Sequence, residues 1–337
     1  MKPQRLSKKR IGPALLTFLV LMLVPLASAL GASHTLKAVS AWPKSVYEVQ
    51  NYLKLIEIIQ DKVAQDYPGE LKIQYIGGPE VFPNREQVEA ARNGLVDMVF
   101  TTVGYYVSAL PVVDGLNLTR LTPWEEREQG VNTFLETLHR EAVNCFYLGR
   151  MGSGLPFSLY LNEPISKVAD LEGMKIRCSP SHIAFLKNIG AMPQVIPPPD
   201  VYTALERGVV DGFIWPAGLI TDWGWHEVVE YMVRPAFYEA INVVLVNQDT
   251  WEKLPQHLQE LMIEAEIEAE EYTLQRAREQ IKKEHQILKQ AGLRFIDLPD
   301  QEAEALKGAA YDALWKQVIE KAPENGPKLK SMISKQH

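Results

Sequence analysis

The chain reads as an α/β protein built from two similar lobes, and three observations carry that reading. Strand-like segments alternate with helical ones from His34 onward, the order that gives a mainly parallel sheet covered on both faces. The segment Ala90-Ala91-Arg92-Asn93-Gly94-Leu95-Val96-Asp97 is echoed 114 residues later by Ala204-Leu205-Glu206-Arg207-Gly208-Val209-Val210-Asp211. Each copy is a helix end, a glycine stop and a strand start, and one falls in each half of a 337-residue chain long enough for two domains.

The elements follow in order. Leu36, Ala38 and Ser40 alternate with Thr35, Lys37 and Val39, as in a first strand. Val49, Leu53, Ile56, Ile59 and Val63 recur at three- and four-residue steps and predict a helix that Tyr67-Pro68-Gly69 ends. Residues 71–75 read as a second strand, 85–92 as a helix capped by Asn84, and 95–100 as a third strand. Later, Met174 and Ile176 begin a short apolar strand that Arg177 ends. A helix, a Pro-rich turn and a second helix lead to a strand over 209–214 that runs into Trp215-Pro216. Asp249 with Glu252 forms a capping-box pattern, and Pro255 suits a helical first turn. Apolar residues then recur at Leu258, Leu261, Met262, Ala265, Ala269, Tyr272, Ala277, Ile281 and Leu288, up to a stop at Gly292. About 36 helical residues would reach roughly 54 Å at 1.5 Å each, wider than one domain, so the periodicity allows one long helix or a kinked pair. A further helix over 301–320 precedes a polar end.

Residues 1–29 read as a targeting segment. Lys2, Arg5, Lys8, Lys9 and Arg10 form a basic head, 11–26 an apolar run, and Ala27-Ser28-Ala29 a small-x-small cleavage pattern, with cleavage expected after Ala29. The rival reading is an uncleaved anchor, for which the run is short against about 20 residues per span. No cysteine at the cleavage site suggests a lipid anchor, and no twin arginine suggests a specialised export route. Loss of those five basic residues takes the net charge from −7 to −12. Such an acidic exported chain is a poor candidate for binding nucleic acid or anionic membrane, and no later run is long and apolar enough to span a bilayer. Cys145 and Cys178 could pair in an oxidising compartment; their apolar, strand-like surroundings favour two buried free thiols.

Catalytic and metal motifs are few. His226-Glu227-Val228-Val229-Glu230 lacks the second histidine of a zinc-protease helix, so the Trp223–Glu227 region reads as a surface or interface helix. Gly152-Ser153-Gly154 lacks the spacing of a nucleophile elbow. No P-loop, dinucleotide glycine motif or Cys-x-x-Cys is present, and no histidine stands evidently beside a nucleophile. The acidic run 264–271, interleaved with Ala and Ile, reads as a solvated helix face, and Asn117-Leu118-Thr119 as a chance sequon. What remains is a cation and a large aromatic, Arg177 and Trp215, at strand ends, where open α/β sheets bind small ligands. An arginine there points to an anion, because its planar fork matches a carboxylate bidentately.

Two ordered stretches, Asp170-Leu171-Glu172-Gly173-Met174-Lys175-Ile176-Arg177 and Val201-Tyr202-Thr203-Ala204-Leu205-Glu206-Arg207-Gly208-Val209-Val210-Asp211-Gly212, resemble the DctP-like solute-binding subunits of TRAP transporters. The resemblance covers essentially the whole chain after the targeting segment. It implies a two-lobed, class II-like periplasmic binding protein with hinge strands and one long helix across both lobes. Lobe I would comprise 30–154 plus 241–282, lobe II 155–240 plus 283–310, and 311–337 a C-terminal helix and tail. It implies an exported receptor, not an enzyme and without a cofactor, that closes on an organic acid and delivers it to TRAP permease subunits. The family default is a monomer.

The resemblance also implies the site. Arg177 stands where the family clamps a carboxylate. Trp215 matches the branch resembling 2-oxo-acid binders, where sugar-acid binders carry a polar amide. Phe157 replaces a second arginine, Pro198 an aromatic, and Thr101 an acidic contact, while Trp42 contributes from lobe I. Such a pocket suits a monocarboxylate, a 2-oxo acid or an aromatic or hydrophobic acid, over a sugar acid or dicarboxylate. Glu239 occupies the place of a metal-binding glutamate in the oxo-acid branch, but its usual partner is replaced by Ile214; one carboxylate is a weak site, and no metal is expected. A periplasmic sensor subunit and an exported enzyme on a similar scaffold are the alternative functions.

Overall fold

The computed structural model describes residues 34–334, so the expected targeting segment lies outside the described residues. The chain opens with β1 (His34–Ser40), α1 (Tyr47–Asp66), β2 (Leu71–Gly77), α2 (Gln87–Arg92) and β3 (Met98–Thr102). After 3-10 turns come α3 (Pro123–Glu128), α4 (Val131–Val143) and β4 (Cys145–Met151). It then builds β5 (Phe157–Leu161), β6 (Lys175–Cys178), α5 (Ile183–Asn188), β7 (Met192–Val195), α6 (Val201–Glu206), β8 (Gly212–Pro216) and β9 (Tyr231–Arg234). It ends with β10 (Asn242–Asn247), α7 (Gln248–Lys253), α8 (Gln256–Gln290), β11 (Arg294–Asp297), α9 (Asp300–Lys321) and α10 (Asn325–Ile333).

These strands form two sheets, ordered β2-β1-β3-β10-β4 and β11-β9-β5-β8-β6-β7. In the first, β1 pairs parallel with β2 and β3, and β10 runs antiparallel between β3 and β4. In the second, β8 is parallel to β6 and antiparallel to β5. The chain crosses between the sheets through 152–156 and returns through 235–241, and the two crossings bond to each other. The Ala240 N–H donates to Leu155 O at 3.1 Å and the Phe157 N–H to Tyr238 O at 2.7 Å. This is the two-lobed α/β architecture expected from the sequence.

The internal echo is a structural repeat. Gly94 and Gly208 hold φ of 70° and 66°, which glycine adopts without strain. Three residues on, the Asp97 N–H donates to Lys37 O at 2.9 Å and the Lys37 N–H donates to the Asp97 carboxylate at 2.8 Å. Asp211 does the same with Lys175, at 2.8 and 2.7 Å. In both lobes one aspartate therefore clips the incoming strand to its parallel neighbour.

The long apolar series is one 35-residue helix, α8. Leu258, Leu261, Met262, Ala265 and Ala269 pack into the core against α1 and the first sheet, whereas Ala277 and Leu288 belong to the second lobe's core. The acidic run on this helix is not a uniformly solvated face. Glu266 and Glu270 are buried, and Arg127 pairs with both, at 2.7 Å to Glu266. Helical spacing puts these two residues, four apart, on the packed side, while Glu264, Glu268 and Glu271 remain exposed.

Several boundaries differ from the pattern reading. Helix α2 starts at Gln87 and has no side-chain cap, so Asn84 does not cap it. Strand β3 starts at Met98, because Leu95 belongs to the glycine turn and is exposed. Asn247, not Asp249, caps α7, its side chain accepting from the Thr250 N–H at 2.9 Å. The polar end holds α10, whose Leu329 and Ile333 are buried beneath a lysine-rich exposed side. The Trp223–Glu227 region is two 3-10 turns joined at Gly224, and Trp225 is buried. Cys145 and Cys178 are both buried free thiols, each pushed up to about 12 by burial.

Candidate functional site

A narrow cleft lies between the lobes, closed down in this structure to a cavity of about 30 Å³. Trp42, Glu48, Thr102, Tyr105 and Asn242 line it from the first lobe, and Phe157, Arg177, Ser179, His182, Ile214 and Trp215 from the second. Arg177 is presented by β6 between β7 and β8, with its backbone fixed in the ladder. Its Nε donates to Ile196 O at 2.9 Å, which aims the guanidinium along the cleft wall. The guanidinium lies 5.0 Å from the Trp215 ring and 5.9 Å from Trp225, and these two rings meet edge-to-face at 4.9 Å.

Arg177 is 2% exposed, its Nη1 has no partner, and among the described residues no carboxylate pairs with it. Burial pulls its pKa down to about 10. A cation held dry without a counter-ion is unfavourable unless something anionic enters beside it. The aromatic rings compensate in part. By contrast, Arg150, equally buried, is satisfied by Glu126 at 2.7 Å and by Leu121 O at 2.7 Å.

Trp42, Phe157 and Trp215 stand on the cleft wall with Arg177. Thr101 and Pro198 are not among the lining residues. Thr101 is buried and points with Val99 to the other side of β3, and strand alternation gives the cleft to Thr102 instead. Pro198 is buried in the 3-10 turn before α6. Glu239 also lies outside the lining: its carboxylate accepts from the Gly154 and Leu155 N–H groups of the opposite crossing, so it joins the two hinge segments. Burial raises its pKa, with Arg150 opposing. Among the described residues no group of three or more histidine, cysteine, aspartate or glutamate side chains could hold a metal ion.

Pattern reading missed Glu48, Tyr105, Ser179, His182 and Asn242. For Glu48 a signal existed, since it falls beside Val49 and Tyr52 on the buried stripe of an amphipathic helix. Its carboxyl is pushed up to about 8 by burial. The structure also places a histidine on a serine in the cleft, with His182 Nδ1 2.7 Å from Ser179 Oγ. Burial and the nearby Arg177 cation pull His182 down to about 3, so it is a neutral hydrogen-bonding group and a poor general base. Its Nε2 is buried and has no partner among the described residues. The site therefore offers fixed polar atoms and aromatic walls that can hold a small anion.

The lobes are drawn together in this structure. The Tyr47 N–H at the start of α1 donates to Asp222 Oδ2 of the other lobe at 2.8 Å. No side chain of its own caps this helix, so the Asp222 carboxylate takes the role at its positive end. Arg276 of α8 donates to Asn51 and lies 4.9 Å from the Tyr47 ring.

Two lobes hinged by crossing strands around an arginine-bearing cleft define a binding protein of the solute-receptor class. The chain belongs to the DctP family, bacterial extracellular solute-binding protein family 7, whose model matches residues 47–322. It is thus a TRAP-type solute-binding protein. The monocarboxylate 2-oxoacid-binding periplasmic protein of Nostoc sp. is 26% identical over 241 residues, covering 68% of this chain and 64% of that protein, under two thirds of its length. The 2,3-diketo-L-gulonate-binding periplasmic protein of Escherichia coli is 24% identical, covering 83% of this chain and 85% of that protein. Among solved structures, a Desulfovibrio salexigens TRAP periplasmic solute binding protein with bound orotic acid superposes with TM-score 0.80 at 20% identity, covering 89% of this chain and 97% of that one. A Bordetella pertussis receptor binding pyroglutamic acid gives 0.78 at 19% identity, covering 89% and 99%. These structures share the fold.

Proposed function

We propose that this chain is the extracytoplasmic receptor of a TRAP-type secondary transporter and captures an organic monocarboxylate, a 2-oxo acid or an aromatic or hydrophobic acid. The observation that carries this reading is the buried, unpaired guanidinium of Arg177 in the interlobe cleft. A ligand carboxylate docked on it would supply the missing counter-charge in a charge-assisted pair, about twice as strong as a neutral hydrogen bond. Trp42, Trp215 and Phe157 would hold the body of the ligand. Contacts from both lobes favour the closed form, so occupancy is reported by hinge closure to the permease subunits. The lobes of this reading are 30–154 plus 241–282 and 155–240 plus 283–310. The protein works outside the inner membrane, as a monomer, and does no chemistry on its ligand. The relatives' names support an organic acid and differ on which one.

The test is a thermal-shift screen against aliphatic and aromatic 2-oxo acids, lactate-like acids, dicarboxylates and sugar acids. Ligand at 100 times its Kd adds about 2.7 kcal/mol of stability. Hits confined to apolar or aromatic monocarboxylates support the reading. Hits confined to sugar acids or dicarboxylates refute it.

A further inference from the structure

Several polar groups in the cleft are left unused by a carboxylate on Arg177: His182 Nε2, the Trp42 and Trp215 indole N–H groups and, the one carboxyl among them, Glu48. Glu48, in the first turn of α1, is 4% exposed and lines the same cleft from the opposite lobe. Its Oε2 is buried without a hydrogen-bond partner among the described residues. The nearby charges that act on it, Asp222 and Glu284, are both acidic, and its own backbone N–H is the group that serves the carboxyl. Among the described residues no lysine or arginine forms an ion pair with it. Buried polar atoms in folded proteins are nearly always hydrogen-bonded, and one that lines a ligand cleft, unlike the unpartnered oxygens of Glu266, Glu270 and Glu284 elsewhere in the fold, can take its partner from a ligand. The carboxyl faces a space that a ligand would fill, between the aromatic walls of Trp42, Tyr105 and Trp215.

We infer that Glu48 is the second anchor of the ligand: its carboxyl takes a hydrogen bond from an O–H or N–H on the end of the ligand remote from the carboxylate. The receptor then selects donor-bearing monocarboxylates over matched acids that lack the donor. This inference rests on the proposed carboxylate seat at Arg177. A donor-free acid would leave Glu48 unpaired in the closed cleft, and a site built to take a hydrogen bond rejects the analogue that cannot give one. With its pKa pushed up to about 8 by burial, the carboxyl is mostly protonated near neutrality, and its carbonyl oxygen is then the acceptor that a ligand donor meets.

Matched pairs test it. Phenylpyruvate is titrated calorimetrically against 4-hydroxyphenylpyruvate, and 2-oxobutyrate against 4-hydroxy-2-oxobutyrate, with wild type, Glu48→Leu, Glu48→Gln and Arg177→Met. Wild type is expected to prefer the hydroxylated member of at least one pair by more than about tenfold, the equivalent of one hydrogen bond to a charged or buried group. Glu48→Leu should bring that ratio close to one, and Glu48→Gln, which keeps an acceptor, should restore much of it. Glu48→Ala replaces the leucine variant if that variant does not melt cooperatively. Equal affinities within both pairs in wild type, or a preference that survives in Glu48→Leu, overturns the assignment and leaves the carboxylate seat standing. Where wild type binds none of the four, the strongest monocarboxylate of the acid screen and its hydroxylated or dehydroxylated analogue replace them, and the absence of any monocarboxylate hit in that screen overturns the carboxylate seat and the Glu48 assignment with it.

Discussion

Replacing Arg177 with methionine removes the cation and keeps an apolar side chain against Trp215. Two effects of opposite sign follow. With ligand bound, the variant loses a charge-assisted pair in a dry site, for which truncation of one partner costs about 2–5 kcal/mol, or roughly 30- to 4,000-fold in Kd. Without ligand, the closed cleft holds a guanidinium whose pKa is drawn from 12.5 to about 10. At 1.36 kcal/mol per unit that is on the order of 3 kcal/mol against the folded, empty form. Arg177→Met should therefore melt no lower than wild type when unliganded while losing nearly all affinity for acids. The assay is calorimetric titration with the strongest hit from the acid screen, beside thermal melts of both proteins. Binding within threefold of wild type would refute the reasoning, because the carboxylate would then be held elsewhere. A variant that binds poorly and also melts several degrees lower would show that Arg177 is a structural tie.

Trp215→Ala should weaken binding of aromatic acids at least tenfold while leaving a cooperative melt; unchanged affinity in the same titration would remove Trp215 from the ligand wall. Asp222→Asn weakens the cap that joins the lobes at Tyr47 and should raise the ligand Kd about three- to tenfold through faster release; an unchanged dissociation rate in stopped flow would mean this contact does not hold the closed form. His139 bonds Tyr106 at 2.9 Å and is pulled down from 6.5 to about 4 by burial, so between those values the unfolded chain binds more protons. Its contribution to stability is complete above pH 6.5 and falls by about 1.4 kcal/mol per pH unit toward pH 4. Denaturant titrations from pH 7 to 4.5 should show that slope disappear in His139→Gln, and parallel profiles would contradict it. Gly212→Ala places a Cβ 2.3 Å from Tyr160 O in the middle of the second sheet and should lower stability by about 2 kcal/mol or more, read by urea unfolding; a loss within 0.5 kcal/mol would be inconsistent with this close approach.

The parts of the fold legible in the sequence are those set by local periodicity. The α1 stripe and the α8 series could be read because apolar side chains at three- and four-residue steps are what a packed helix requires. The echo at Gly94 and Gly208 was legible because a left-handed turn needs glycine. Boundaries slipped where a distant group decides them. Helix α1 starts under a carboxylate 175 residues away, and α7 starts where Asn247 captures the Thr250 N–H. The burial of Glu266 and Glu270 depends on Arg127 from another helix, which a reading of α8 alone could not supply. At the site, Arg177, Trp215, Phe157 and Trp42 share the cleft because they lie at strand ends and crossings. Thr101 and Pro198 do not line it, because one residue of strand phase turns Thr101 away and Pro198 is spent in packing a turn. Ser179, His182 and Asn242 carry no periodic signature and become visible only when the two lobes face each other.

The most direct measurement is a crystal structure of the protein with the tightest-binding acid from the screen. The account predicts closed lobes, with the ligand carboxylate within hydrogen-bond distance of the Arg177 guanidinium and the ligand body between Trp42 and Trp215. A bound acid whose carboxylate points away from Arg177, or one seated outside the interlobe cleft, would contradict it.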